Sequence, residues 1–322
     1  MKQTVWILLL AIAARIGYEY VDRSKTYYVP DRPGIVVITG ATSGLGLDSA
    51  YHFASNGYLV LAGARSQKKA DVLQEKAEIK GFKKDAFRAI VLDVTDASHW
   101  DQALRETKDA MEETGREFCG LINNAGVHHR MFKDNPEDPD TLSIWRKVFE
   151  VNLFAVVGLT QIFEDLIIAS KARIVNIGSI AGELSIPTGE PYSATKFGLR
   201  AISTGWRAHY APMGVSVSLV EPGYVASQMC DPKKESVCGV RGPEDTTTPA
   251  YFDAIASATP KSKYIVSDVM FVDVPYYGKV GIPGTFFVPL MHHFVPSRVQ
   301  DAIAANVVKD RQQDRSSKAK KA

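Results

Sequence analysis

Short apolar, β-branched runs alternate with helix-forming stretches along most of this chain, and this alternation constrains the fold more than any other feature. Such spacing predicts right-handed crossovers and an α/β fold, a doubly wound parallel sheet with helices on both faces. No composition break divides residues 34–265, so they are assigned to one domain. The predicted strands are Ile35–Thr39, Tyr58–Ala62, Phe87–Leu92, Gly120–Asn123, Arg173–Ile177, Ser216–Val220 and Lys263–Val266. The predicted helices are Leu45–Asn56, Gln67–Lys80, Ala97–Thr114, Thr141–Ser170 and Tyr192–Ala211, with a short helix that begins at Thr248-Pro249-Ala250.

The first predicted strand runs directly into a glycine-rich turn over residues 39–46, and a helix follows. Glycines let the backbone approach a pyrophosphate, and a helix N-terminus offers unpaired N–H groups. The order strand, turn, helix is the context that such a site requires. The alternative is a glycine-rich turn without a ligand, since the G-x-x-x-G-x-G spacing is not the commoner G-x-G-x-x-G. The residues predicted to contact a pyrophosphate are Thr39, Gly40, Ser43, Gly44, Leu45 and Gly46.

The end of the second predicted strand discriminates between two related dinucleotides. Sites specific for NAD usually carry an acid there, which holds the ribose 2′-hydroxyl. Residues 61–66 contain no acid, and Arg65 is positioned to pair with a 2′-phosphate. NADP(H) is therefore favoured and NAD(H) stays possible, with a plain surface role for Arg65 as the alternative. Asp93, at the end of the third strand, is expected to accept a hydrogen bond from the adenine amino group.

Small and amide side chains follow the fourth predicted strand, where Asn124, Ala125 and Gly126 are expected to approach a ribose and a nicotinamide. An ordinary βα turn favours the same residue types and is the alternative. Ser179 ends the fifth predicted strand. Asn152 lies within a predicted helix in apolar surroundings, where a buried amide needs a partner or a water. A capping or core role is the alternative for Asn152.

Tyr192 and Lys196 are four residues apart in a predicted helix, and this spacing places both side chains on one face. An ammonium about 4 Å from a phenol lowers the phenol's pKa at an effective dielectric of about 20. Tyr192 is therefore expected to donate and accept protons near neutral pH. Two unrelated surface residues at this spacing are the alternative, and the other segments decide against it.

Together these segments resemble the short-chain dehydrogenase/reductase family in its compact single-domain branch. The motifs TGATSGLG, NNAG, VN, IGS, YSATK and EPG occur in the family order from about Ile35 to Ser227. The resemblance implies a Rossmann-type fold and a hydride transfer between NADP(H) or NAD(H) and an alcohol or ketone. It also implies roles for four side chains: Ser179 orients the carbonyl, Tyr192 is the general acid/base, Lys196 lowers the pKa of Tyr192 and binds the nicotinamide ribose, and Asn152 holds a water in a proton relay.

The resemblance extends to the segment after the sixth strand. There it implies cofactor contacts from Pro222, Gly223, Val225 and Ser227, with Ser227 standing where the family usually has threonine. The family commonly dimerises through helices such as Thr141–Ser170 and Tyr192–Ala211, so a homodimer is expected.

Two segments outside the motif-bearing region, one near each end of the chain, suggest the substrate class. A short N-terminal anchor and the run Pro296-Ser297-Arg298-Val299 resemble the retinol and hydroxysteroid dehydrogenase branch, which implies an apolar, steroid-, retinoid- or lipid-like alcohol or ketone. Residues from about 228 to 308 are predicted to form a cap over the site. The apolar run Met270–Val295 is expected to close over the site, with a lipid-facing surface as the alternative. His128, His129 and Arg130 are expected at the pocket mouth, and without a third ligand they indicate no metal.

Charge and hydropathy divide the chain into three parts. Residues 1–30 form a predicted anchor and linker, because Thr4–Ala14 carries no charge yet is shorter than the ~20 residues of a spanning helix. Attachment to an intracellular membrane surface, such as the endoplasmic reticulum, is favoured over a buried helix, a cleaved secretory signal or a cytoplasmic location. Residues 31–308 form the dehydrogenase domain and its cap. Residues 309–322 hold six basic and two acidic residues and are predicted to be disordered, so the remaining body is slightly acidic despite the net charge of +2.

That charge balance excludes a nucleic-acid surface on the body of the protein. The three cysteines show no metal-ligand spacing, and their odd number favours a reducing compartment, with a Cys230–Cys238 pair as the alternative. Two other functions stay open. One is a catalytically idle NAD(P)-binding sensor or scaffold. The other is an epimerase or dehydratase of the extended branch, which usually has a different glycine spacing and a longer C-terminal domain.

Overall fold

The computed structural model describes residues 22–23, 25–128, 141–185, 189–223, 225 and 242–266, and the backbone of 269–274 and 278–283. One parallel sheet contains β1 (Ile35–Ile38), β2 (Leu59–Ala64), β3 (Phe87–Val91), β4 (Phe118–Asn123), β5 (Arg173–Ile177), β6 (Val217–Pro222) and β7 (Lys263–Val266). The helices are α1 (Gly44–Ser55), α2 (Gln67–Ile79), α3 (Ala97–Thr114), α4 (Thr141–Phe149), α5 (Ala155–Ala169), α6 (Glu190–Tyr210) and α7 (Thr247–Ala256).

The strands lie in the order β3-β2-β1-β4-β5-β6-β7, and each neighbouring pair is parallel. The order reverses direction between β1 and β4, which makes this the topological switch point where open α/β sheets bind ligands. The predicted Rossmann-type fold is therefore confirmed.

Alternate residues of each strand enter two separate apolar layers. Val36 and Ile38 pack on one face with residues of α1, α2 and α7, whereas Ile35 and Val37 pack on the other with residues of α3 and α5. Strands that are buried on both faces read as continuous apolar runs, which explains why the sequence pattern is so plain.

A buried polar network joins the strand ends that carry two of the motifs. Asn123 on β4 donates to Asn176 on β5 at 2.9 Å and to Thr160 at 3.2 Å. Asn176 donates in turn to Ser203 on α6 at 2.9 Å. Because unsatisfied buried amides are costly, this network holds β4, β5 and α6 in one arrangement.

The helix predicted as Thr141–Ser170 differs from a regular α-helix. A π-helical turn at Glu150–Phe154 separates α4 from α5. The turn places Asn152 inward, where it is 1 % exposed. Among the described residues, Leu142–Ala169 is also the helical stretch that is long and apolar enough to cross a membrane. Its inner face packs in the core through Leu159, Phe163 and Ile167.

Smaller differences concern element ends. Helix α6 begins two residues earlier than predicted and has Pro191 in its first turn, where the missing N–H costs little. Strand β6 continues to Pro222, two residues further than predicted. Helix α7 and strand β7 follow the predicted short helix and last strand.

An antiparallel hairpin of β8 (Val269–Val274) and β9 (Gly278–Pro283) lies in the segment predicted to be a cap. The N-terminal anchor, His129, Arg130, Ser227, Cys230, Cys238 and the basic tail lie outside the described residues. The division into anchor, domain, cap and tail stays a prediction.

Candidate active site

A cavity of about 730 Å³ lies at the carboxyl ends of the strands, at the switch point. It gathers residues from segments that are far apart in the chain. Nearly every predicted site residue in the described part of the chain lines it: Gly40, Ser43, Gly44, Leu45, Gly46, Arg65, Asp93, Asn124, Ala125, Gly126, Ser179, Tyr192, Lys196, Pro222, Gly223 and Val225.

The glycine-rich turn forms a cradle that side chains would fill. Gly40 has φ +64°, and a Cβ added there would lie 2.8 Å from the Cα of Ala125. A Cβ on Gly46 would lie 2.4 Å from the Asn124 amide nitrogen and 2.6 Å from the Gly40 carbonyl. Helix α1 begins at Gly44, and the side chain of its N-cap, Ser43, makes no capping hydrogen bond. The first N–H groups of α1 are thus available to an anion, and the cradle fits a pyrophosphate.

Thr39 does not line the cavity. Its side chain links the glycine-rich turn to the NNAG loop by hydrogen bonds. Its hydroxyl accepts hydrogen bonds from the backbone N–H groups of Asn124 (2.9 Å) and Ala125 (2.8 Å). The Asn124 side chain donates to the carbonyl of Thr39 at 2.9 Å and to that of Gly40 at 3.2 Å. Thr39 is 2 % exposed, so its role is to position the cradle.

At the rim of the cavity beside β2 and β3, basic side chains lie on one side and an acidic side chain lies on the other. Arg65 and Lys69 line it, and both are exposed. Asp93 accepts at Oδ1 from the backbone N–H (3.0 Å) and the hydroxyl (2.8 Å) of Thr95, which fixes its carboxylate at the edge. Lys69 was not predicted from the sequence; its place in the first turn of α2, four residues after Arg65, was the available signal.

Ser179, Tyr192 and Lys196 meet on the floor of the cavity. The Ser179 hydroxyl hydrogen-bonds the Tyr192 phenol and accepts from the Ala181 N–H at 3.1 Å. Lys196 Nζ lies 5.5 Å from the centroid of the Tyr192 ring and donates to the Ile177 carbonyl at 2.7 Å. Tyr192 is 9 % exposed and Lys196 4 %.

The electrostatics of this cluster differ from the sequence-based expectation. Burial raises the pKa of Tyr192, and the hydrogen bond with Ser179 offsets only part of that rise. Burial also lowers the pKa of Lys196 to about 8. The expected lowering of the Tyr192 pKa is absent because the ammonium is directed to the Ile177 carbonyl and both groups are withdrawn from water.

The Asn152 side chain holds the loop after β4 in place by hydrogen bonds. Its Oδ1 accepts from the Val127 N–H at 2.8 Å, and its Nδ2 donates to the Val127 carbonyl at 2.9 Å and to Thr195 at 3.2 Å. These bonds link the π-helical turn, the NNAG loop and α6. A role in a proton relay stays a prediction.

His128 packs edge-on against the Tyr192 ring, with centroids 4.8 Å apart. It is not among the residues that line the cavity, so its expected place at the pocket mouth stays a prediction. Within the described residues, no group of three His, Cys, Asp or Glu side chains is suited to hold a metal ion.

A glycine cradle and a Ser–Tyr–Lys cluster at the switch point of a doubly wound sheet define a Rossmann-type α/β protein built to bind a dinucleotide. A model of the short chain dehydrogenase family matches residues 34–237 of this chain. The chain belongs to the short-chain dehydrogenase family.

Curated relatives include three kinds of dehydrogenase. Mitochondrial D-beta-hydroxybutyrate dehydrogenase of Mus musculus is 35% identical over 188 residues, 58% of this chain and 53% of that protein. Retinol dehydrogenase 5 of Mus musculus is 34% identical, covering 68% and 65% of the two chains. The 17-beta-hydroxysteroid dehydrogenase type 6 of Bos taurus is 31% identical, covering 70% and 69%. The match thus spans about half the length of the hydroxybutyrate dehydrogenases.

The fold also matches a solved structure. The crystal structure of a short chain dehydrogenase from Burkholderia cenocepacia J2315 in complex with NADP aligns with a TM-score of 0.58. The alignment covers 73% of this chain and 88% of that one, at 22% identity. This likeness independently supports the doubly wound fold.

Proposed function

We propose that this protein is an NADP(H)-dependent oxidoreductase that interconverts an apolar secondary alcohol and its ketone, with Tyr192 as the general acid/base. The observation that carries the proposal is the hydrogen-bonded pair of Ser179 and Tyr192 on the floor of the cavity, with Lys196 beside it. Two hydroxyl donors that converge on one point stabilise the charge that develops on a carbonyl oxygen.

When bound, the dinucleotide supplies or accepts a hydride at C4 of its nicotinamide. The chain's own residues manage the oxygen and its proton. In reduction, Ser179 and Tyr192 donate hydrogen bonds to the carbonyl oxygen, and Tyr192 gives up its phenolic proton to it. In oxidation, the phenolate takes the proton back from the alcohol. Because burial raises the pKa of Tyr192, the phenol is protonated at neutral pH, which is the state that reduction requires.

The decisive test replaces Tyr192 by Phe and measures both NADPH binding, by quenching of its fluorescence, and turnover of a panel of apolar ketones. Turnover should fall by about 10²–10⁴, the usual contribution of a general acid, while cofactor affinity changes little. Tyr210→Phe is the matched control, since Tyr210 is also buried on α6 but donates to Glu164 far from the cavity. Full turnover in Tyr192→Phe would remove this residue from the mechanism, and wild-type binding of NADPH without turnover of any ketone would favour an idle sensor or scaffold.

The preference for NADP(H) over NAD(H) is supported by the two cations at the rim. Arg65 and Lys69 lie where β2 passes into α2, and no acid stands between residues 61 and 66. Replacing both by Ala should lower the ratio of kcat/KM for NADPH to that for NADH by about tenfold or more, because charge-assisted hydrogen bonds to a phosphate are lost. Lys68→Ala is the control, because Lys68 is exposed on the same turn but does not line the cavity. An unchanged ratio in the double variant would refute this assignment.

The substrate class and the location are proposed from the relatives and the chain ends. The names of two relatives refer to retinol and a hydroxysteroid, which supports an apolar alcohol or ketone. The uncharged run Thr4–Ala14 supports attachment of the N-terminus to an intracellular membrane surface, where such substrates partition.

A further inference from the structure

A second cavity, of about 180 Å³, lies at the amino ends of the strands, opposite the active-site cleft. Its floor is formed by Phe118 and Cys119 on β4 and by Arg173 on β5, and the segment of residues 28–33 covers it. None of its lining residues also lines the larger cavity. We call it the Arg173 cavity.

Arg173 carries a buried charge that the described part of the chain satisfies only in part. The residue is 2 % exposed, and its Nη2 donates to the Tyr28 carbonyl at 2.9 Å. Its guanidinium carbon lies 5.6 Å from the centroid of the Tyr27 ring. Nη1 is buried, and among the described residues it finds no hydrogen-bond acceptor. Burial lowers the pKa of Arg173, but a guanidinium stays charged in proteins, so the free N–H groups favour an anionic partner.

The charges around the cavity also favour an anion. Arg32 and Lys171 line it together with Arg173, whereas Asp31 is the acid in its lining. Burial raises the pKa of the Cys119 thiol to about 11, so this group adds no negative charge at neutral pH. Among the lining side chains the surplus of positive charge is therefore two, and the Glu117 carboxylate, which accepts from the Tyr28 hydroxyl, lies next to the lining.

The walls select an anion with an apolar body. Pro30, Pro33, Tyr58, Phe118 and Ile255 supply apolar surface. An engineered apolar cavity of about 150 Å³ admits benzene, so the Arg173 cavity has room for a ligand of roughly that size with a small charged group. A fully hydrated inorganic anion would make no favourable contact with these apolar walls.

We propose that the Arg173 cavity binds a small apolar carboxylate, whose carboxylate accepts hydrogen bonds from Nη1 of Arg173 while its hydrocarbon part packs on Tyr58 and Pro30. The site is separate from the chemistry at the other edge of the sheet. A planar carboxylate suits the fork of donors that a guanidinium presents.

The test compares benzoate with benzamide, which has the same shape but no charge, by isothermal titration calorimetry on the full-length wild-type protein. Benzoate should bind at least about tenfold more tightly than benzamide. Arg173→Met should lower benzoate affinity by about the same factor. Arg88→Met is the matched control, because Arg88 is a surface arginine outside both cavities. Removing the two rim cations of the larger cavity, by Arg65→Ala with Lys69→Ala, should leave benzoate binding unchanged.

Four results would overturn the proposal: equal binding of benzoate and benzamide, no binding of benzoate to the wild-type protein, unchanged benzoate affinity in folded Arg173→Met, or loss of benzoate binding in the variant of Arg65 and Lys69. If Arg173→Met does not fold, two measurements still test the proposal. One compares benzoate with benzamide on the wild-type protein, and the other measures benzoate binding to the variant of Arg65 and Lys69. None of these measurements depends on turnover, so they test the Arg173 cavity independently of the proposed dehydrogenase activity.

Discussion

Glu221 lies fully buried at the carboxyl end of β6, next to the active-site cleft. Lys263 Nζ is 3.7 Å from its carboxylate, but Lys263 makes a closer contact of 2.6 Å to Glu183, which also pairs with Arg200 at 2.5 Å. Two cations thus neutralise mainly Glu183. Burial raises the pKa of Glu221 to about 8, the Lys263 ammonium offsets part of that rise, and repulsion from the neighbouring Glu183 carboxylate adds to it.

This arrangement predicts a pH-dependent stability. The folded-state pKa of Glu221 is about 8 against an ordinary 4.5, so folding takes up a proton between these values. The contribution of Glu221 to stability is therefore complete below pH 4.5 and is lost progressively as the pH rises to about 8. Glu221→Gln keeps the shape and removes the titration. Its free energy of unfolding relative to the wild type should rise across that window and then level off, with a total gain on the order of 1–4 kcal/mol.

Urea unfolding of the wild type and Glu221→Gln at pH 5, 7 and 9 measures this difference. Glu75→Gln, an exposed glutamate on α2, is the control and should track the wild type at every pH. Parallel pH profiles for wild type and Glu221→Gln would show that Glu221 is ionised in the folded protein at neutral pH.

Single residues also mark the limit of what the sequence predicts. The motifs identified Tyr192, Lys196 and Ser179 as neighbours, and the structure brings them together. The direction of the Tyr192 pKa was missed because it depends on burial and on where Lys196 points, which spacing along a helix does not encode. The buried carboxyl groups of Glu183 and Glu221 were missed for the same reason, since their neighbour Lys263 is contributed by β7, far along the chain.

At the scale of elements, α7 supports the cofactor cradle from outside the glycine-rich motif. The family match ends at residue 237, before α7 begins. Nevertheless the Tyr251 hydroxyl donates to Oδ1 of Asn124 at 3.1 Å, and Asn124 in turn holds the carbonyls of Thr39 and Gly40. Thr248 on the same helix donates to Asp48 on α1. Helix α7 therefore positions both the cradle and the helix that follows it.

This predicts that Tyr251→Phe weakens dinucleotide binding more than it weakens the fold. Loss of one hydrogen bond should cost about 1 kcal/mol of stability, while the dissociation constant for NADPH should rise by about three- to tenfold because Asn124 loses a restraint. Tyr264→Phe is the matched control: its hydroxyl bonds Asp253 and the Lys261 N–H rather than the cradle. Fluorescence titration with NADPH measures the binding, and equal dissociation constants for the two variants would contradict the positioning role of Tyr251.

Sequence patterns predicted the elements well where periodicity is strong. The predicted Ala97–Thr114 helix agrees with the structure at both ends, and the strands up to β5 agree within two residues. The π-helical turn at Glu150–Phe154 was missed because one extra residue in a long apolar helix hardly changes its periodicity. After β6 the sequence loses clear periodicity, so only the short elements α7 and β7 were predicted there.

At the scale of the whole molecule, three large apolar side chains are exposed on elements that contact one another, and they support the expected homodimer. Phe154 is 54 % exposed, Leu142 54 % and Phe197 39 %. They lie on α4, the π-helical turn and α6, which are the helices through which the resemblance implies dimerisation. Large apolar side chains exposed on one group of neighbouring helices suit an interaction surface better than singly scattered ones do.

We therefore predict that the protein is a homodimer and that Phe154→Lys combined with Phe197→Lys yields a monomer, because each dimer would bury four lysines without partners. Sedimentation velocity should show twice the mass of the chain for the wild type and the mass of one chain for the double variant. Ile79→Lys is the control, since Ile79 is 78 % exposed at the end of α2, on a different helix, and should leave the dimer intact. A monomeric wild type, or a double variant that stays dimeric, would exclude this face as the interface. Tyr192 and Lys196 lie on α6, the helix that presents Phe197, so a comparison of turnover in the two oligomeric states also tests whether dimerisation rigidifies the active site.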